Sequence, residues 1–574
     1  MGPMYLTEPK SQYRFLVKHF FRRFFDLESI APPHVETNVL LVKILFLLAV
    51  PGTLASLFLE PKYVRLMFQP FWEPDLAKLD DKCFFISMSM ILLGFIAAFE
   101  WDTLFPDRKD YLILTPLPIA TRTIFLAKIA ALAAFLLAFT VTIDLGPTIL
   151  FPLEVLTRKS SLLRCAQYVA SHGITVLLGN IFIFFTAISL QGILFVLLPQ
   201  KVALIVSRYI RFFFFLLLLC AVFSFPGISS VQRLVETQSP IAAFYPPIWF
   251  VGVYEILLGS QVQMWGDMAF RALAAITLTG VVSVLTYAIC YQRFLRRSIE
   301  SGTAALFRQG LIRTVLNFVL DRWLLPRARH RALFHFVGQT VFRSPRHTLY
   351  IGSFLAIGVS TALMGLITIA FTDDWTMVPH LDKAILSVPL VLSFFVLVGT
   401  KISFAVPVDL DANWLFRLAP DQTAKSCYAG IRAFLICGML LPLLVSVAFL
   451  YRLLWSGPTI LLHACFSLVL SLLLIEWLLS RLTKIPFTCS YIPAPAERVF
   501  KWPLYYIGFG CYAYVAAGFE GWLLREPRRV LSFCAMAGAL WIAVIFRHAF
   551  LRRRETLHFE EECPTAPIYL DLSN

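Results

Sequence analysis

Long apolar runs follow one another along almost the whole chain, separated by short polar segments. The first half holds runs at 38–59, 83–99, 125–151, 170–198, 208–226 and 268–292. The second half holds runs at 348–371, 384–406, 429–451, 457–479, 503–523 and 529–549. A helix needs about 20 apolar residues to cross the hydrocarbon core of a bilayer. The pattern therefore predicts an all-α polytopic membrane protein with about a dozen transmembrane helices.

Composition strengthens this prediction. The chain has 574 residues, of which 59% are hydrophobic and 15% are charged, and its mean hydropathy is +0.75. A soluble domain is nearer half apolar and a quarter charged, so the composition excludes a soluble enzyme, a disordered chain and a coiled coil. The 11 cysteines form no C-x-x-C and no zinc-spaced cluster, which predicts no disulfide framework, metal site or cofactor.

The distribution of basic residues predicts the orientation. Lys and Arg concentrate in the N-terminal segment, in 293–347 and in the tail, and twelve spans would place all three on one side. By the positive-inside rule that side is the cytoplasm of a cell (inner or plasma) membrane, with both termini inside. Two basic groups, 158–164 and 525–529, oppose the rule. The net charge of +15 does not indicate nucleic acid, because no basic stripe is interleaved with exposed aromatics.

The same runs predict the domain organisation. A cytoplasmic N-terminal segment, 1–36, precedes a first six-span half, 37–292, and a basic linker, 293–347, leads to a second six-span half, 348–549, and a cytoplasmic tail, 550–574. Residues 13–27 of the N-terminal segment predict an amphipathic helix that lies in the membrane interface. Its apolar face comprises Leu16, Val17, Phe20, Phe24 and Leu27, and its basic face comprises Arg14, Lys18 and Arg22.

The two halves share a short sequence match in the loop after their second span. Asp107, Pro116 and Lys128 match Asp411, Pro420 and Arg432 at one offset (411 − 107 = 304), and Leu114 and Leu418 obey it too. The loops 101–128 and 407–432 occupy equivalent places, so the match predicts two parallel six-helix repeats. Chance similarity is the alternative.

The first of these loops carries a proline-started helix pattern. Pro118 suits the first turn of a helix, and Arg122 and Lys128 follow as basic groups. Such a helix, joined directly to two spans, suits the transmission of force from a soluble partner. The residues fit a capped connecting loop equally well.

The stretch Leu112–Lys128, which contains L-P-I-x-x-R-x-x-F-x-x-K, resembles the permeases of type-2 ABC exporters. The resemblance implies a coupling helix in 101–128 that sits on a cytoplasmic ATPase subunit. Because no G-x-x-x-x-G-K-[ST] motif occurs, hydrolysis of ATP is assigned to that partner and not to this chain. The implied coupling residues are Asp107, Pro116, Pro118, Arg122, Lys128, Asp411, Pro420 and Arg432.

The resemblance also implies an outer re-entrant segment at 226–266, where the apolar stretch Phe244–Gly259 is too short to span. It covers residues 1–300 well and 330–574 more loosely. The second loop lacks one proline and the arginine of the first, which leaves equivalent coupling by the second half open.

Ionisable residues inside spans are costly and mark candidate functional positions. We single out Asp144, beside Gly146–Pro147, together with Glu255 and Glu476. Glu255 is expected in the re-entrant segment, and Glu476 is expected to snorkel or to pair near Arg481. His172 and His463 are expected to hydrogen-bond backbone carbonyl groups.

Two other functions fit the sequence less well. A proton- or sodium-coupled secondary transporter would share the two six-span halves, and Asp107–Arg108 matches part of a major facilitator loop, but without its glycines and arginine pair. A membrane-embedded lipid or sugar transferase would need an acidic cluster at one face, for which Asp107 and Asp110 are the nearest candidates.

Overall fold

The computed structural model confirms an all-α membrane protein, with 88% of the described residues helical and no β-strand among them. The residues that the structure describes are 9–24, 37–66, 74–105, 114, 117, 119–155, 161–224, 231–237, 242, 244–297, 325, 327–371, 383–408, 413, 416, 424–480, 482, 484–489, 507–552 and 558–560. The chain divides into two compact units, Met1–Ala305 (unit 1) and Leu306–Asn574 (unit 2). The division falls inside the basic segment 293–347.

The helices of unit 1 follow the predicted apolar runs but extend beyond them. They are α1 (Pro9–Arg23), α2 (Thr37–Leu66), α3 (Pro74–Phe99), α4 (Thr121–Val155), α5 (Leu162–Leu197), α6 (Gln200–Ser224), α7 (Val231–Glu236), α8 (Pro246–Leu257) and α9 (Gln263–Arg297). At about 1.5 Å per residue, the 36 residues of α5 exceed the hydrocarbon thickness. Its first turn therefore carries Arg164, which the sequence had placed in a loop.

The helices of unit 2 include two π-helical segments. The elements are α10 (Ala328–Arg343), α11 (Pro345–Phe371), α12 (Lys383–Ser403), α13 (Ala424–Ala433), a π segment (Phe434–Leu440), α14 (Leu441–Tyr451), α15 (Gly457–Ser480), a second π segment (Cys511–Val515), α16 (Ala516–Leu523) and α17 (Pro527–Leu551). Helices α13 and α14 and the π segment between them form one continuous span.

Eleven helices in the described part are long and apolar enough to cross a membrane. They correspond to eleven of the twelve predicted runs. The remaining run, 503–523, is described from residue 507 onward, as helix with the π segment Cys511–Val515 inside it. Helix α8 has 12 residues, which is short of the about 20 that a crossing needs.

Each unit is organised around a central span. In unit 1, α5 packs against α3, α4, α8 and α9. In unit 2, α12 packs against α11, α15, α16 and both π segments. The outward faces of peripheral helices keep large apolar side chains exposed, such as Phe46, Phe58 and Phe546, as expected of a surface that meets lipid.

Candidate functional site

Helix α1 packs across the start of α4. It buries Leu16, Phe20 and Phe24 and leaves its basic side exposed, as the amphipathic pattern predicts. The ammonium of Lys128 lies 5.2 Å from the ring centroid of Phe20 and 5.0 Å from that of Phe24, within the range of a cation–π contact. The sequence placed Lys128 in a separate short helix, but it lies buried within α4.

The segment after α3 is anchored to α6. The indole nitrogen of Trp101 donates to Ser207 Oγ at 2.8 Å. Arg211 donates to Asp102 Oδ2 at 2.9 Å and to the Phe99 carbonyl at 2.7 Å. The beginning of the predicted coupling loop is therefore fixed to a membrane helix other than the two that it connects.

Glu100 lies in the same anchored segment, just beyond the last residue of α3. Burial raises the pKa of its carboxyl from 4.5 to about 7, although Thr103 donates a hydrogen bond to it and Arg211 lies nearby. The folded state thus holds a proton that the unfolded chain releases at lower pH. This contribution to stability is full below pH 4.5 and is lost as the pH rises through about 7.

We expect Glu100→Gln to remove this part of the pH dependence. The wild-type thermal midpoint should fall between about pH 5 and about pH 8, and that of Glu100→Gln should fall less, because its amide does not ionise. The measurement is thermal unfolding of both purified proteins in detergent. Equal losses in the two proteins would contradict the assignment.

The other predicted coupling residues separate into three groups. Arg122 lies exposed in the first turn of α4, which suits contact with a partner. Arg432 lies in α13 and is engaged by Glu476. Residues Asp107, Pro116, Pro118, Asp411 and Pro420 lie outside the described residues.

In unit 2, the start of the predicted coupling loop 407–432 is hydrogen-bonded to two other parts of the chain. The amide of Val408 donates to the Phe487 carbonyl at 3.2 Å, and the amide of Phe487 donates to the Phe404 carbonyl at 2.9 Å. Asn413 donates to the carbonyls of Thr488 and Glu560, at 2.8 and 2.7 Å. The start of the second predicted coupling loop is thus tied to 484–489 and to the tail.

Glu476 forms a buried ion pair that the sequence did not anticipate. Arg432 donates to both carboxylate oxygens, at 2.5 and 2.9 Å, and His548 Nδ1 lies 3.1 Å from Oε2. The sequence predicted that Glu476 snorkels or pairs near Arg481, which lies outside the described residues; its partners are Arg432 of α13 and His548 of α17. Glu476 is 1% exposed, so its charge is neutralised inside the protein.

Glu255 lies in α8, as expected for the re-entrant segment, and pairs with Lys82 of α3. On the same helix Asp81 accepts hydrogen bonds from Lys62 and from the hydroxyl of Tyr63. Asp81 precedes the predicted run 83–99 and lies within α3 because this helix begins before that run. These bonds join α2, α3 and α8 at the end of unit 1 remote from α1.

The two intramembrane histidines differ from expectation. His463 Nδ1 lies 2.6 Å from Glu520 Oε1, and both side chains are buried, so its partner is a carboxylate and not a backbone carbonyl. His172 has no hydrogen-bond partner among the described residues and packs against the rings of Phe85, Phe151 and Tyr254. Both histidines contact side chains of other helices, and neither hydrogen-bonds a backbone carbonyl among the described residues.

Asp144 is the centre of a compact polar cluster in unit 1. Its Oδ2 accepts from Ser89 Oγ at 2.7 Å and from Asn180 Nδ2 at 3.0 Å. The Asn180 amide also donates to Ser89 Oγ at 2.8 Å. Helices α3, α4 and α5 contribute one residue each, and Ser89 and Asn180 lie at the midpoints of their spans.

Comparison with known proteins provides no identification. No family model, no curated protein sequence and no solved structure matches the chain. Its function therefore has to be argued from its own residues.

Proposed function

We propose that the chain is the membrane permease component of an ATP-driven exporter of the ABC type. Separate cytoplasmic ATPase subunits would supply the energy, and two six-span halves of this chain would form the path for the substrate. The proposal combines the sequence resemblance around Leu112–Lys128 with the contacts at the α1 end of unit 1.

The observation that carries the proposal is the anchoring of the 99–105 segment. Its hydrogen bonds to Ser207 and Arg211 attach it to α6, and the buried side chains of Leu104 and Phe105 attach it further to the bundle. Phe105 packs against Phe195 of α5 and Tyr287 of α9. A partner that moves this segment would therefore move α5, α6 and α9 directly, through these contacts, and not only through α3.

The burial pattern supports the internal repeat. Four buried positions of α3, Cys83, Ile86, Met90 and Leu93, correspond at the offset of 304 to four buried positions of α12: Ser387, Leu390, Phe394 and Leu397. In the third span, Ala127, Ala131, Phe135 and Ile143 correspond likewise to Ile431, Leu435, Met439 and Val447, all of them buried. The offset found in the loop sequence thus also aligns these buried positions, which favours a duplicated unit.

The test is recovery of an ATPase subunit with the tagged chain. We expect an ATPase to copurify from the native membrane in mild detergent and to be identified by mass spectrometry. Arg122→Ala should lower its recovery by about tenfold, as for an interface arginine worth about 1.4 kcal/mol. Arg164→Ala is the matched control, because Arg164 is also exposed but lies at the opposite end of the membrane helices.

Absence of any ATPase from the wild-type preparation would count against the exporter. A second candidate, an ion-coupled secondary transporter, would then lead. It is favoured by the cluster around Asp144, since such transporters place coupling ions near the middle of the membrane.

A further inference from the structure

The cluster around Asp144 brings three side chains into one triangle. Its edges are the distances of 2.7 Å between Ser89 and Asp144, 2.8 Å between Asn180 and Ser89, and 3.0 Å between Asn180 and Asp144. All three residues are buried, with exposed fractions of 0% for Ser89 and Asn180 and 5% for Asp144. Three helices, α3, α4 and α5, therefore meet at one small buried polar cluster.

The charge of Asp144 has no cationic partner in this cluster. The groups that act on its carboxylate among the described residues are the neutral side chains of Ser89 and Asn180. Two lysines of the neighbouring helices α2 and α3 pair with other acids, Lys62 with Asp81 and Lys82 with Glu255. A buried carboxylate without an opposite charge is costly, so a proton or a bound cation must neutralise it.

Asn180 supplies an independent observation. Its Oδ1 is buried and has no hydrogen-bond partner in the described part of the protein. Rotation of the amide by half a turn exchanges Oδ1 with Nδ2, an assignment that the hydrogen-bond network decides. When Nδ2 faces Ser89 and Asp144, it donates hydrogen bonds to both. When Oδ1 faces them instead, the cluster consists of three oxygen atoms: the carboxylate, hydroxyl and amide oxygens.

We propose that Asp144, Ser89 and Asn180 form a binding site for a sodium ion at the middle of unit 1. Carboxylate, hydroxyl and amide oxygens are the ligands of hard cations. A single carboxylate balances a monovalent ion completely but would leave a divalent ion with a net buried charge.

Unit 2 provides an internal comparison. At the offset of 304, Ser89 corresponds to Ser393 and Asp144 to Ala448. Ser393 bonds instead to the hydroxyls of Tyr512 and Ser471, at 2.9 and 3.1 Å. The equivalent point of unit 2 is thus a neutral hydroxyl cluster, and the sodium site belongs to unit 1 alone. It is separate from the proposed coupling to an ATPase.

The experiment measures thermal unfolding of the purified full chain while sodium replaces choline at constant ionic strength and constant pH. A ligand that binds only the folded state raises the midpoint with the logarithm of its concentration. We expect a rise of roughly 1 °C for each tenfold increase in sodium above the dissociation constant, because the unfolding entropy of a chain of 574 residues is large.

The matched variants separate the site from general salt effects. Asp144→Asn should abolish the sodium dependence, and Ser393→Ala, at the equivalent point of unit 2, should keep it. If Asp144→Asn does not fold, Ser89→Ala should weaken the dependence, and equilibrium dialysis of the wild type against radioactive sodium counts the bound ion directly.

A wild-type midpoint that is the same in sodium and in choline would overturn the proposal, and one that responds to pH alone would indicate a proton in place of the ion. Equal sodium dependence in wild type and Asp144→Asn would overturn it too. No ATPase takes part in these measurements, so their outcome is independent of the copurification test.

Discussion

Arg432→Met should lower the free energy of unfolding by about 3–5 kcal/mol, because it leaves the Glu476 carboxylate buried without its strongest partner. Arg432 donates two hydrogen bonds to this carboxylate, and Met preserves most of the apolar stem of the side chain. His548 remains in contact with Glu476 and would limit the loss to the extent that it becomes protonated. The measurement is unfolding of the purified protein in mixed micelles.

A double variant distinguishes the effect of the ion pair on stability from the effects of the two side chains taken singly. Replacing both partners of a buried ion pair by apolar residues of similar volume is often neutral or stabilising. Arg432→Met with Glu476→Leu should therefore recover most of the stability that Arg432→Met loses. If the double variant is no more stable than the single one, the effect of Arg432 comes from packing and not from its charge.

The pairing of Arg432 with Glu476 also shows where inference from the sequence stops. The sequence identified both residues, Arg432 as a coupling residue and Glu476 as an intramembrane candidate, but not their contact. They lie 44 residues apart, on helices whose relative rotation is fixed by packing along their whole length. Hydropathy locates a span but leaves that rotation undetermined.

Several features were predictable because they depend on local periodicity alone. The apolar runs predicted the spans, and the spacing of Leu16, Phe20 and Phe24 predicted the buried face of α1. Pro118 predicted a separate short helix that would carry Lys128, whereas Lys128 lies within the long helix α4. In the structure its ammonium lies against aromatic rings, which allows it to enter the helix.

The predicted site residues do not include two neutral polar residues, Ser89 and Asn180, or one acid, Glu520. Ser89 and Asn180 attract no attention in an apolar run, although they complete the cluster around Asp144. Glu520 lies in the run 503–523 and was not considered, although an acid inside a span is itself a signal. All three are polar residues inside predicted apolar runs, and that alone marks them as candidates.

Gly252→Val should lower the free energy of unfolding by about 2–3 kcal/mol or more, because α8 lies directly against the backbone of α9 at this glycine. A Cβ atom there would lie 2.7 Å from the Trp265 carbonyl oxygen and 2.8 Å from the Ala269 nitrogen. Backbone atoms cannot move aside by changing rotamer, so the two helices must separate. Small residues at membrane helix contacts permit this closeness.

Gly266→Ala is the matched control for this contact. Gly266 lies in α9, one residue after Trp265, and a Cβ atom there meets nothing within 4 Å. Alanine favours a helix over glycine by about 1 kcal/mol, so the control should be neutral or slightly stabilising. A loss in Gly252→Val no larger than that of the control would mean that α8 is free to shift away from α9. A clear loss would establish the α8–α9 contact as a fixed part of unit 1, with Glu255 and its partner Lys82 held in place by the same helix.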